Sequence, residues 1–155
     1  MEFDRRQVLA MSVAFPAQAF ATTALAQSRE VWSAMQAHEA LLEDRLRLLD
    51  IRSREEWQET GVTRDVGLVS MHESRFPERL FATRRLAEGR AVALICATGG
   101  RSGAVMQALW QAGHAGFVDV SEVMLGNRLG PGWIATGLPV ITMSEAPVLL
   151  PAALL

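Results

Sequence analysis

A chain of 155 residues, half of them hydrophobic, can bury one compact core and is too short for two ordinary domains. Its 15 basic and 17 acidic residues leave a formal charge of -2 with no basic block, so the electrostatic footprint of a nucleic-acid binder is missing. There is no Lys and no Tyr, which excludes Schiff-base chemistry and phenolic acid–base chemistry.

The first 26 residues read as an export leader rather than part of the fold. A charged stretch with Arg5-Arg6 precedes an apolar segment from about Val8 to Thr23, and Ala24-Leu25-Ala26 fits a signal-peptidase site that would leave Gln27 first. The arginine pair with Leu9 three residues on resembles a twin-arginine signal, an ordinary secretory signal being the alternative. Pro16, Gln18, Thr22 and Thr23 interrupt the apolar run and argue against a membrane anchor. A domain over 27–141, a tail over 142–155 and a periplasmic or otherwise exported location are therefore expected. A single Cys excludes an intramolecular disulfide.

In the mature chain, Val31, Trp32, Met35, Leu41 and Leu42 recur at roughly helical spacing and predict a helix over Arg29 to Leu42. Leu46 to Arg52 is a short apolar run ending in charge, which suits a buried strand. Ser53 and Glu56 form a capping-box pattern at the head of a helix that contains Trp57 and ends at Gly61. A second strand is expected at Val66 to Met71. Pro77 near the start and Gly89 after the end bracket a helix from Phe76. Ala91 to Cys96 is apolar throughout, as in a strand covered on both faces. A glycine-rich turn leads into a helix from about Ser102 to Ala112, and Gly116 to Val120 reads as the last parallel strand. The alternation predicts an α/β domain with a central parallel sheet and helices on both faces. The tail from Thr142 either lies along the domain or frays.

Chemistry concentrates in Cys96-Ala97-Thr98-Gly99-Gly100-Arg101-Ser102. Cys96 closes the central strand, where open α/β sheets place their ligands. Gly99 and Gly100 allow a tight curl in which successive N–H groups point inward as an anion nest, and the next helix adds its positive end and Arg101. The thiolate form of a Cys is the nucleophile. A small core residue is the plainer fate for a Cys after an apolar strand, but such a residue needs no Gly-Gly-Arg-Ser behind it.

This segment resembles the active-site loop of rhodanese domains, whose usual form is Cys-Arg-Ser/Thr-Gly-x-Arg-Ser. It follows Leu48-Leu49-Asp50-Ile51-Arg52 and Glu56-Trp57, similar to that family's Asp-Val-Arg and Glu-Trp segment, and precedes Gly130 to Val140, similar to its closing Gly-x-x-x-Trp and Gly-Leu-Pro-Val. Two departures stand out. Ala97 occupies a position where many relatives carry Arg, and Gly61 to Gly67 replaces the usual Gly-His-Ile-Pro-Gly-Ala. Four residues separate Cys96 from Arg101, a shorter loop than the Cys-x5-Arg of cysteine phosphatases.

The resemblance implies a sulfurtransferase in which Cys96 takes sulfur from a small anionic donor such as thiosulfate, holds it as a persulfide and yields it to a thiol or cyanide. N–H groups from Ala97 to Ser102 would stabilise the persulfide, with Arg101 holding the loop closed or attracting the donor. Thr98 and Ser102 hydroxyls are further donors, Ser102 being alternatively the helix N-cap. No cofactor is called for. Asp50 and Arg52 read as a structural pair. His38, His72 and His114 lack metal-ligand spacing, and one Cys cannot complete a zinc site. A non-catalytic binding or redox-sensing module is the alternative function.

Overall fold

The computed structural model describes residues 30–146. The expected leader, 1–26, and the end of the tail lie outside them. The elements run β1 (Val31–Trp32), α1 (Ala34–Leu42), β2 (Leu46–Asp50), α2 (Arg54–Thr60), β3 (Val62–Thr63), β4 (Val66–Leu68) and α3 (Phe76–Leu86), then β5 (Ala91–Ile95), α4 (Gly100–Gln111), β6 (Phe117–Val120), α5 (Gly132–Ala135) and β7 (Val140–Ile141). A short 3-10 turn over Met143–Glu145 follows. Five strands form one parallel sheet in the order β1-β6-β5-β2-β4, so β5 lies at its centre between β6 and β2.

Helices cover both faces, as expected, and β5 shows why its sequence is apolar throughout. Ala93 and Ile95 point into a cluster with Ala34, Ala37 and Ala40 of α1, Trp57 of α2 and Trp133 of α5. Val92, Leu94 and Cys96 point the other way, among Leu80 of α3 and Met106 and Leu109 of α4. The side-chain period of two thus serves two cores at once. Burying Leu94 and Ile95 completely contributes about 1.5–3 kcal/mol each.

The helix expected over Arg29 to Leu42 is instead a strand followed by a shorter helix. Ser33 accepts from the Gln36 N–H at 3.1 Å, and the Gln36 side chain accepts from the Ser33 N–H at 2.9 Å. This capping box fixes the helix start, while Val31 and Trp32 pair in parallel with Asp119 and Val120. Pairing with a distant strand overrides local periodicity there.

The capping box expected at α2 is present, with the Glu56 N–H donating to Ser53 Oγ at 3.3 Å and the Ser53 N–H to Glu56 Oε2 at 2.8 Å. Gly61 ends α2 at φ 77°, and a Cβ there would come within 2.6 Å of both Ile141 O and Val140 Cγ1. That close approach joins β3 to β7 in a small antiparallel sheet that the sequence reading does not anticipate. β4 stops at Leu68 rather than Met71, although Val69 and Met71 still donate to the carbonyls of Asp50 and Ile51. Helix α4 begins two residues before the expected Ser102.

Candidate active site

Cys96 is the first residue beyond β5 and is 1% exposed. Its Sγ accepts from the Gly99 N–H at 3.1 Å and from the Ser102 N–H at 3.5 Å. The thiol donates to Ser102 Oγ at 3.5 Å; with the sulfur as thiolate, the hydroxyl turns to donate instead. A curled loop therefore places three polar groups around one sulfur atom.

Gly99 makes the curl possible. It caps α4 in the left-handed region at φ 101°, where a Cβ would also meet Asn127 Nδ2 at 3.2 Å. Gly100 has open space around it, so only the first glycine of the pair is sterically required. Ser102 is buried inside α4 and is not its N-cap, which corrects the alternative reading of its hydroxyl. Thr98 is exposed, with its carbonyl accepting from Asn127 Nδ2 at 3.5 Å.

A shelf built by the segment after β6 holds the loop from outside. The N–H groups of Met124 and Leu125 donate to the carbonyls of Cys96 and Ala97, each at 3.0 Å. Asn127 Nδ2 ties the shelf to itself through Ser121 O at 2.6 Å. Within the shelf, Val123 is fully buried at φ 59°, a conformation a β-branched residue seldom adopts. It is held by Trp133, whose N–H donates to Val123 O at 2.8 Å. With both loop carbonyls turned toward the shelf, the N–H groups further along are left facing the sulfur.

Arg101 does not reach the thiol. Its two Nη groups grip both carboxylate oxygens of Glu56, Nη1 at 2.6 Å from Oε2. The guanidinium holds the Glu56 carboxyl down to about 2, and Glu56 in turn pushes Arg101 higher. Glu56 thus caps α2 and also clamps the loop to that helix. Its pattern shows only the capping role, because its partner lies 45 positions away.

Asp50 and Arg52 pair with each other at the end of β2. Both side chains are completely buried, with Arg52 Nη2 at 2.7 Å from Asp50 Oδ2. The remaining Arg52 donors go to Thr60 Oγ1 at 2.6 Å and Gly61 O at 2.8 Å, so the pair closes the far end of α2. His38 stands edge-on to Trp133 and His114 packs on Phe81. Among the described residues no group of three or more His, Cys, Asp or Glu could hold a metal ion.

No family model matches the chain, and no curated protein does. Solved structures do. Rv0390 from M. tuberculosis is 29% identical, with 71% of this chain and 95% of that one covered and a TM-score of 0.53. A rhodanese-related protein from Thermoplasma volcanium is 27% identical over 72% of this chain and 97% of its own, also at 0.53. A rhodanese-like domain protein from Staphylococcus aureus, 22% identical over 73% and 99%, matches in fold with a TM-score of 0.51. The parallel five-stranded sheet with helices on both faces matches the fold of these proteins, and the chain has a rhodanese-like α/β fold.

Proposed function

We propose that this domain is a sulfurtransferase that works through a persulfide on Cys96. The carrying observation is the convergence of the Gly99 N–H, the Ser102 N–H and the Ser102 hydroxyl on one sulfur at the end of the central strand. Donors fixed in place before the reaction stabilise sulfur-centred negative charge without reorganising, as in an oxyanion hole. The solved neighbours support the fold; the chemistry rests on this geometry.

In the first half-reaction the Cys96 thiolate attacks the outer sulfur of a small donor such as thiosulfate. The S–S bond of the donor breaks, sulfite leaves with the electron pair, and Cys96 carries the sulfur as an anionic persulfide. In the second, a thiolate or cyanide attacks that outer sulfur and departs with it, returning the Cys96 thiolate. Arg101 takes no part in these bond changes; through Glu56 it keeps the loop docked on α2. Ala97 supplies only a methyl group and a peptide link.

Intact mass spectrometry of the purified protein tests the reading. Treatment with thiosulfate is expected to add one sulfur atom, cyanide to remove it, and Cys96→Ser to abolish the gain. A second reading, a binding or redox-sensing module, draws on the near-complete burial of Cys96. An unchanged mass with the thiol shown to be free would select it. We further propose export directed by residues 1–26, for which fractionation of cells producing the full chain is the test: the protein should be periplasmic, and a purely cytoplasmic pool overturns the proposal.

A further inference from the structure

Each group bonded to Cys96 Sγ is neutral: two backbone N–H groups and a hydroxyl. The loop contains one cation, Arg101, and both of its Nη groups are taken by the two oxygens of Glu56. Both partners stay ionised throughout the neutral range, Glu56 being held down to about 2, so their charges cancel beside the cradle. Other ionised groups on the neighbouring loops are closed on one another: Asp50 on Arg52, and Glu73 on Arg79. Arg54 stands near Glu55, which it helps to keep ionised, and Arg128 is exposed on the shelf, where solvent and salt screen it.

The shelf side offers apolar surface beside the Asn127 amide, whose Nδ2 lies 3.2 Å from where a Cβ on Gly99 would sit. Leu125 is 51% exposed although its own N–H is bound to the Ala97 carbonyl. Val123 Cγ1 lies 3.8 Å from where a Cβ on Gly99 would sit. A thiolate in this cradle adds one negative charge to a site with no net positive charge, and a doubly charged donor must approach it against repulsion.

We infer that Glu56 sets the charge of the donor: by neutralising Arg101 it favours a sulfane sulfur that carries one negative charge and an apolar organic substituent over the thiosulfate dianion. The inference rests on the sulfurtransferase reading. Organic thiosulfonates are donors of this class. The Cys96 thiolate attacks the terminal sulfur, the bond from that sulfur to the sulfonyl sulfur breaks, and a sulfinate leaves with the electron pair. Charge balances, two negative charges entering and two leaving. Glu56 touches neither donor nor nucleophile and acts through Arg101, so it is a positioning residue.

The test compares kcat/KM for benzenethiosulfonate and for thiosulfate, with cyanide as acceptor, in the wild type and in Glu56→Gln. Intrinsic reactivity of the two donors cancels in the change of their ratio. Freeing Arg101 is expected to lower the benzenethiosulfonate-to-thiosulfate ratio about tenfold, mainly because thiosulfate improves. Added salt should speed the wild-type reaction with thiosulfate, since it screens repulsion, and should change that of Glu56→Gln little, because the freed Arg101 charge offsets the thiolate. An unchanged ratio overturns the inference while leaving the sulfurtransferase intact. If the variant fails to fold, the wild-type salt response decides, and a thiosulfate rate that falls with salt overturns it. If neither donor loads Cys96, the sulfurtransferase reading itself fails, and the inference with it.

Discussion

The ends of β2 and β5 lie side by side, Asp50 in register with Ile95, and each leads directly to a buried polar cluster. After β2, Arg52 divides its donors between Asp50, Thr60 and Gly61, all of them fixed acceptors within the protein. After β5, donors from Gly99 and Ser102 gather on the single sulfur of Cys96. Burial is nearly identical, with Asp50 and Arg52 at 0% and Cys96 at 1%. What separates the two clusters is the identity of the acceptor: carboxylate and carbonyl oxygens saturate an arginine, whereas under the proposed function the thiol leaves its donors available to a new atom.

That contrast can be broken most forcefully at Arg52. Arg52→Ala leaves Asp50 buried without its partner and should cost about 3–5 kcal/mol of stability by denaturant unfolding. Sulfur loading per folded molecule should stay near wild type. A large loss of loading with unchanged stability would mean that the β2 cluster is part of the chemistry.

On the reactive side, Gly99→Ala forces a side chain to φ 101° and against Asn127 Nδ2. A destabilisation of about 1–3 kcal/mol is expected, together with slower sulfur uptake because the 3.1 Å N–H contact to Cys96 shifts. Ser102→Ala removes one donor at the long distance of 3.5 Å. It should slow persulfide formation by about tenfold, below the loss for a well-aligned oxyanion donor, while thermal unfolding changes little.

The smallest effect sharpens the comparison through pH. The Glu56 carboxyl is held at about 2 in the folded protein against an ordinary value of 4.5. A depressed acid stabilises the fold above its unfolded value and loses that contribution as pH falls toward the folded one. The Arg101 clamp should therefore add stability above about pH 4.5 and fade between there and pH 2. Unfolding measured across that window should show a shallower slope for Glu56→Gln than for the wild type, and equal slopes would place the Glu56–Arg101 pair outside the energetics of folding.

Much of the architecture was readable from residues alone. The apolar run of β5, the Ser53–Glu56 box and Pro77 at the head of α3 are local patterns that tertiary contacts reinforce. Two-residue strands carry no periodicity, so apolar spacing points to helix across β1 and gives no sign of β3 or β7. At the site, the Cys96 loop is legible because the cysteine, the turn and the helix start are contiguous. The shelf residues Val123, Met124, Leu125 and Asn127 are not, since they act largely through backbone groups whose direction depends on a left-handed Val123. The second task of Glu56 was hidden for the related reason that folding alone brings Arg101 to it.

The placement of β1 also bears on the order of assembly. Ala34 donates to the Glu122 carboxylate across 88 positions, and Trp32 O accepts from the Ser121 N–H at 2.9 Å. The first strand among the described residues therefore docks on the last strand of the large sheet. During synthesis its partner does not yet exist, and β1 has nothing to pair with until β6 has emerged. The entropic cost of closing so long a loop grows only slowly with its length, so the delay is one of timing rather than stability. A nascent chain halted before Phe117 would leave β5 with an open flank on the side that β6 later covers, beside Cys96 and its loop.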